Sequence, residues 1–155
     1  MAAEVSNKKI ILWTSLLATL VSGFLIFVNP FPANNSVDLS PIPYTLDLPR
    51  EIASKISVTS TSSPAGITRA TIYYQPTSGE KVQVAWLTFT SLAEYDAHAA
   101  VDEVPLYGFQ LKRENGMNLS VKGPQEPQFT LGSKDNQVEQ IIDKKIYLPD
   151  LYKAK

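Results

Sequence analysis

Two hydrophobic patterns divide this chain, one unbroken and one periodic. From Ile10 to Val28 no charged residue occurs, and none follows until Asp38. These nineteen residues, at about 1.5 Å each, make a helix of roughly 28 Å, close to the ~30 Å hydrocarbon core of a bilayer. The polar interruptions Thr14, Ser15, Thr19 and Ser22 carry hydroxyls that bond back to helix carbonyls and so are tolerated in lipid. Trp13 toward one end, and Phe27 with Phe31 toward the other, sit where interfacial aromatics belong. The pattern predicts a transmembrane helix over 10–28. A cleaved signal peptide is the competing reading. The apolar run is longer than an h-region of ~7–15 residues and no A-x-A site follows it. The best available cut, after Gly23 with Val21 at the −3 position, would leave an apolar Phe-Leu-Ile-Phe-Val end.

Lys8 and Lys9 precede the segment, and the next cation is Arg50. The positive-inside bias therefore puts residues 1–9 in the cytoplasm and 29–155 outside, a single-pass cell-membrane topology. Ser15, Thr19 and Gly23 fall at i, i+4 and i+8, with Ala18 and Ser22 beside them. Small residues at that spacing let a second helix approach closely, so this face is a candidate for a protein partner or a homo-oligomer. An anchor that simply tolerates a few small residues would look the same.

Residues 29–49 hold five of the eleven prolines, and proline at this density favours an extended chain. The stretch is expected to be a spacer of up to ~45 Å over Asn29–Pro43, at about 3.1 Å per residue. Beyond it, period-two alternation takes over. A first strand is expected near Lys55–Ser60. Ile67–Tyr74 and Lys81–Thr90 are rich in β-branched and aromatic residues and read as a hairpin. The second of these is apolar on both sides toward its end, the mark of a central strand. Ser91-Leu92-Ala93-Glu94 has the form of a capping box opening a helix to about Val101. Phe109–Glu114 and Met117–Lys122 make a second hairpin. A three-residue loop ending at a left-handed Gly116 would pair Leu111 with Leu119 and Phe109 with Val121, keeping one apolar face. The strand aromatics Tyr74, Trp86, Phe89 and Phe109 are expected in the core. A short strand at Gln128–Leu131 and a helix opened by Ser133, with Val138, Ile141 and Ile142 inward, complete the domain. The fold class is thus α+β: a small antiparallel-sheet domain over 50–155 with two short helices, behind the membrane helix.

Composition narrows the chemistry. Lys and Arg number 14 against 15 Asp and Glu, a net charge of −1, which excludes a strongly basic nucleic-acid binder. Zero cysteines exclude disulfides, Cys-ligated metals and thiol catalysis. The mean hydropathy of −0.07 averages an apolar helix with a polar outer domain. The single His98 lies between Glu94 and Asp102 at i, i+4 and i+8, a pattern that fits either a divalent cation or an acidic solvated helix face. The second reading is preferred, so no metal and no cofactor are assigned. No nucleophile elbow, zincin motif, Walker loop or dinucleotide fingerprint is present, and no catalytic residue is assigned. Tyr95, His98 and Tyr107 are candidates to line a pocket between the sheet and the helix from Ser91. Leu148, Leu151 and Tyr152, in an apolar tail, are candidates for partner contact or for packing on the domain itself. These features point to a non-catalytic accessory subunit or interaction module of a membrane complex. The alternative is an anchored ligand-binding or sensing domain.

Overall fold

The computed structural model describes residues 34–99 and 106–155. The expected membrane helix over 10–28, with its Ser15, Thr19 and Gly23 face, lies outside the described residues. Among those described, no helix is long and apolar enough to cross a membrane.

The stretch Tyr44-Thr45-Leu46-Asp47-Leu48-Pro49 alternates apolar and polar residues, and alternation dictates a strand with one buried face. As β2 (Tyr44–Pro49) it buries Tyr44, Leu46 and Leu48. It pairs antiparallel with β1 (Asn34–Asp38) on one side and β8 (Tyr152–Ala154) on the other, giving a three-stranded sheet β1-β2-β8. This corrects the reading of 29–49 as a spacer: the folded unit begins at Asn34, not Arg50, and only 29–33 of the expected linker lie outside the described residues. The prolines do not prevent it. Pro41 and Pro43 occupy the turn and Pro49 ends the strand, positions where a missing N–H interrupts little of the ladder.

A short helix, α1 (Arg50–Ala53), tucks Ile52 inward and leads into the second sheet. That sheet contains β3 (Ile56–Ser62), β4 (Thr68–Tyr74), β5 (Val82–Ser91), β6 (Phe109–Glu114) and β7 (Met117–Lys122), in the order β3-β4-β5-β7-β6. Every neighbouring pair is antiparallel. The strand expected to be central, β5, is central. One sheet face supplies Ala70, Ile72 and Tyr74 from β4, Leu87 from β5, and Leu119 and Val121 from β7. These join Leu39, Ile42, Leu46 and Leu48 of the first hairpin in one core. The edge-on contact of Tyr44 with Phe89, ring centroids 6.2 Å apart, fixes the hairpin on the sheet.

The other face is polar where it is covered. Thr88, Thr90, Asn118 and Ser120 are all buried there. Ser120 Oγ donates to the Thr88 carbonyl, and Gln110 Nε2 donates to Asn118 Oδ1. Trp86, paired with Lys122 on this face, is 37% exposed, and Phe109 on edge strand β6 is 66% exposed. Both depart from the core placement that their strand positions predict.

The β6–β7 turn combines two registers. Asn115 and Gly116 are both left-handed, with φ of 53° and 75°, so the turn has two residues and Lys112 faces Leu119. An irregularity between Gln110 and Lys112 then restores the Phe109–Val121 pairing. The expected Leu111–Leu119 pairing does not occur; Leu111 is the extra residue of a bulge and turns into the core.

Helix α2 (Leu92–Ala99) begins as the capping pattern requires, Ser91 Oγ accepting from the Glu94 N–H at 3.1 Å. Helix α3 (Lys134–Ile146) begins at Ser133, whose Oγ accepts from Asn136 N. Its buried face is Asn136, Glu139, Ile142 and Ile146, whereas Ile141 is exposed and Val138 only half-buried. Gln128–Leu131 is irregular rather than a strand. After a 3-10 turn at Pro149–Leu151, the tail closes the first sheet as β8.

Candidate functional site

The residues proposed from the sequence as a pocket are brought together, but as a packed cluster. From α2, Glu94 Oε1 accepts from His98 Nε2 at 3.0 Å, one turn along the same helix, a contact that is an ion pair when the imidazole is protonated. The same oxygen accepts from the Tyr107 hydroxyl at 2.9 Å. Tyr107 meets the His98 ring edge-on at 5.4 Å. Tyr95, on the neighbouring helical position, donates its hydroxyl to the Gly108 carbonyl at 3.2 Å. Both tyrosines are buried. Burial pushes both hydroxyls up from the usual tyrosine range, and the Glu94 carboxylate adds to the effect at Tyr107. Glu94 therefore does not reach back to complete a capping box; it clamps α2 to the segment that enters β6. Gly108 lets the same segment pass close to β7: at φ +84°, a Cβ there would run into the Val121 carbonyl and Lys122 Cβ.

Asp102, the third member of the sequence triad, lies outside the described residues. Among the described residues no group of three His, Cys, Asp or Glu side chains is placed to hold a metal ion. Nor does any described hydroxyl hydrogen-bond to His98 as an activated nucleophile would.

Of the tail candidates, the structure separates one from the others. Tyr152 is 1% exposed and its hydroxyl donates to the Ile146 carbonyl at 2.7 Å. Leu151 is half-buried against the core. Leu148 is 49% exposed. Beside it in sequence, Tyr147 meets Phe109 edge-on at 5.5 Å and accepts a hydrogen bond from Gly123 N. Tyr152 is thus a core residue of this domain rather than a contact for another chain.

Two clefts lie away from the residues that the sequence proposed as a pocket. One, of about 250 Å³, is lined by Val84, Pro124, Glu126, Leu131, Glu139 and Asp143 among others, with no lysine or arginine in its wall. Its buried carboxylate is fully engaged: Glu139 Oε1 accepts from Gln128 N at 2.7 Å and Oε2 from Asn136 Nδ2 at 3.2 Å. The second, of about 450 Å³, is mainly apolar and lined by Pro49, Ile52, Lys55, Tyr74, Val138 and Ile141. The sequence signal for the first was the i, i+3 spacing of Asn136 and Glu139 in register with Ile142 and Ile146. Polar residues on a buried stripe are easily mistaken for a solvent face. Both clefts are open at the surface, and neither is lined by Tyr95, His98 or Tyr107.

Compared with known proteins, the chain matches no family model, no curated protein and no solved structure.

Proposed function

We propose that this chain is a membrane-anchored extracytoplasmic accessory subunit, a non-catalytic interaction module of a membrane complex. The 10–28 segment would be the anchor, with its N-terminal flank in the cytoplasm. The observation that carries the reading is the large apolar surface that the domain leaves outside its core. Phe109 is 66% exposed and rests on Tyr147, with Leu148, 49% exposed, directly after it. Large apolar groups left outside a core are the ordinary raw material of a partner contact. The sensing alternative loses support because Tyr95 and Tyr107 commit their hydroxyls to Gly108 and Glu94 instead of lining a void.

The test is purification of the tagged full chain in mild detergent, with identification of the chains that come with it. A specific companion in stoichiometric amount is expected, reduced or lost in a Phe109→Ser, Leu148→Ser double variant. Isolation of the wild-type chain alone would refute the accessory-subunit reading.

A further inference from the structure

Sheet edges expose rows of unpaired N–H and C=O groups, and folded proteins blunt them with charge, proline, bulges or brevity. The four edges of this domain can be compared on those terms. β1 is five residues long and ends in Asp38. β8 has three residues and carries Lys153. β6 is broken by the irregularity at Leu111 and bears Lys112, Arg113 and Glu114. β3, Ile56-Ser57-Val58-Thr59-Ser60-Thr61-Ser62, has seven residues, no charge and no proline. Its pairing with β4 runs from Ile56–Tyr74 to Ser62–Thr68 without a register shift. Among the described residues, nothing hydrogen-bonds to the backbone of its outer side.

We infer that β3 is a self-pairing edge: two copies of this chain join β3 to β3 antiparallel about a two-fold axis at Thr59, merging their five-stranded sheets into one. The choice of a second copy follows from the composition of the strand. With the axis at Thr59 all seven residues overlap, and the pairs are Ile56 with Ser62, Ser57 with Thr61, and Val58 with Ser60. Each sets a hydroxyl or β-branched side chain against another small one, with no like charges opposed, and Thr–Thr and Thr–Ser contacts are favourable cross-strand pairs. Ser57, Thr59 and Thr61 share the exposed face, whereas Val58 lies half-buried on the core side. An isologous contact of this kind closes on itself, so it yields a dimer rather than a filament. The inference goes beyond the accessory-subunit reading, since it needs neither the membrane helix nor a different polypeptide.

The absence of native cysteine makes the test clean. Single variants Ser57→Cys, Thr59→Cys, Thr61→Cys and, as a control on an exposed loop, Ser78→Cys are made in the full chain and oxidised mildly in detergent. Directly opposed residues of an antiparallel pair have Cα atoms about 4.5–5.5 Å apart, within reach of a disulfide. Thr59→Cys should give a covalent dimer. Ser57→Cys and Thr61→Cys should cross-link to each other in an equal mixture far more than to themselves, and Ser78→Cys should stay monomeric. Thr59→Lys, which opposes two like charges on the axis, should weaken the reversible dimer several-fold in sedimentation equilibrium while leaving the circular dichroism spectrum unchanged. A monomeric Thr59→Cys, or equal cross-linking at all four positions, would overturn the inference. So would capture of a different polypeptide by the Thr59→Cys variant in place of a homodimer, although the accessory-subunit reading would then stand. Conversely, a covalent Thr59→Cys dimer from a chain that purifies without companions supports the edge and refutes the subunit reading.

Discussion

Replacing Tyr152 asks whether the tail belongs to the domain or is free to reach a partner. The ring is 1% exposed and its hydroxyl donates to Ile146 O at 2.7 Å. That carbonyl belongs to the last residue of α3, where helix acceptors have no partner within the helix. Tyr152→Phe keeps the ring and removes the donor, leaving a buried acceptor unpaired at a cost of about 1–2 kcal/mol. Tyr152→Ala also opens a cavity beside Leu46, its partner across the strand pair, and should cost about 3–5 kcal/mol. A domain of this size is stable by only ~5–15 kcal/mol, so the alanine variant should lose a large share of its stability. Urea unfolding followed by far-UV circular dichroism measures both, provided the slope with denaturant is unchanged. The reasoning is refuted if Tyr152→Ala lies within about 0.5 kcal/mol of wild type, the range of an ordinary surface substitution. The tail would then lie outside the cooperative unit, and Leu148, Leu151 and Tyr152 would again be partner candidates together.

Three further predictions rest on single features. Gly108→Ala should fail to fold or lose more than about 3 kcal/mol, because its Cβ collides with backbone. Gly116→Ala, with open space at φ +75°, should cost only the ~1–2 kcal/mol of left-handed strain, and thermal unfolding of the pair would show the contrast. Ser133→Ala removes the α3 cap and should cost about 1 kcal/mol in the same assay. Two groups contribute to the pH dependence of stability. Tyr74, pushed up to about 12 first by burial and then by its hydrogen bond to Asp135, adds stability that is complete below pH ~10 and lost as pH rises toward about 12. Asp38 is held at about 2, against an ordinary 3.8, first by the Lys155 ammonium and then by Ser40. Its contribution is complete above that ordinary value and lost as pH falls through about 2. Absorbance at about 295 nm, where tyrosinate absorbs, would show delayed ionisation of Tyr74, absent in Tyr74→Phe, and Asp38→Asn should flatten the acid limb of the stability curve.

The strands of the second sheet were legible because β4 and β5 carry β-branched and aromatic residues at period two, and both main helix starts were legible from Ser91 and Ser133. The first hairpin was not, although Tyr44, Leu46 and Leu48 alternate as plainly as any strand in the chain. Proline content averaged over the whole stretch conceals it, whereas what matters to a ladder is which positions the rings occupy. The face of α3 is hidden for a related reason. Glu139 looks solvated in sequence, and only the Gln128 N–H and Asn136 amide, supplied by the fold, make its burial tolerable. Phe109 has the strand pattern of a core residue, but it sits on an outer strand where, among the described residues, the edge-on contact with Tyr147 leaves it largely exposed. The Glu94–His98 spacing is visible, yet its use as a clamp on Tyr107 depends on a contact 13 residues away in the chain.

The position of β2 between β1 and β8 sets an order of events in folding. Thr45 and Lys153 are neighbours in space but separated by 108 positions in the chain, so joining them closes a loop that costs on the order of 4 kcal/mol in chain entropy. A contact so distant is late in the search for the native state. During synthesis the first hairpin must therefore wait, with one side of β2 unpaired, until the final strand emerges, and a chain shortened before Tyr152 is left with that side open. Chains stopped early would thus be recognisable by exposed β2, through faster hydrogen exchange of its amides or by sticking to one another, while the finished chain hides it.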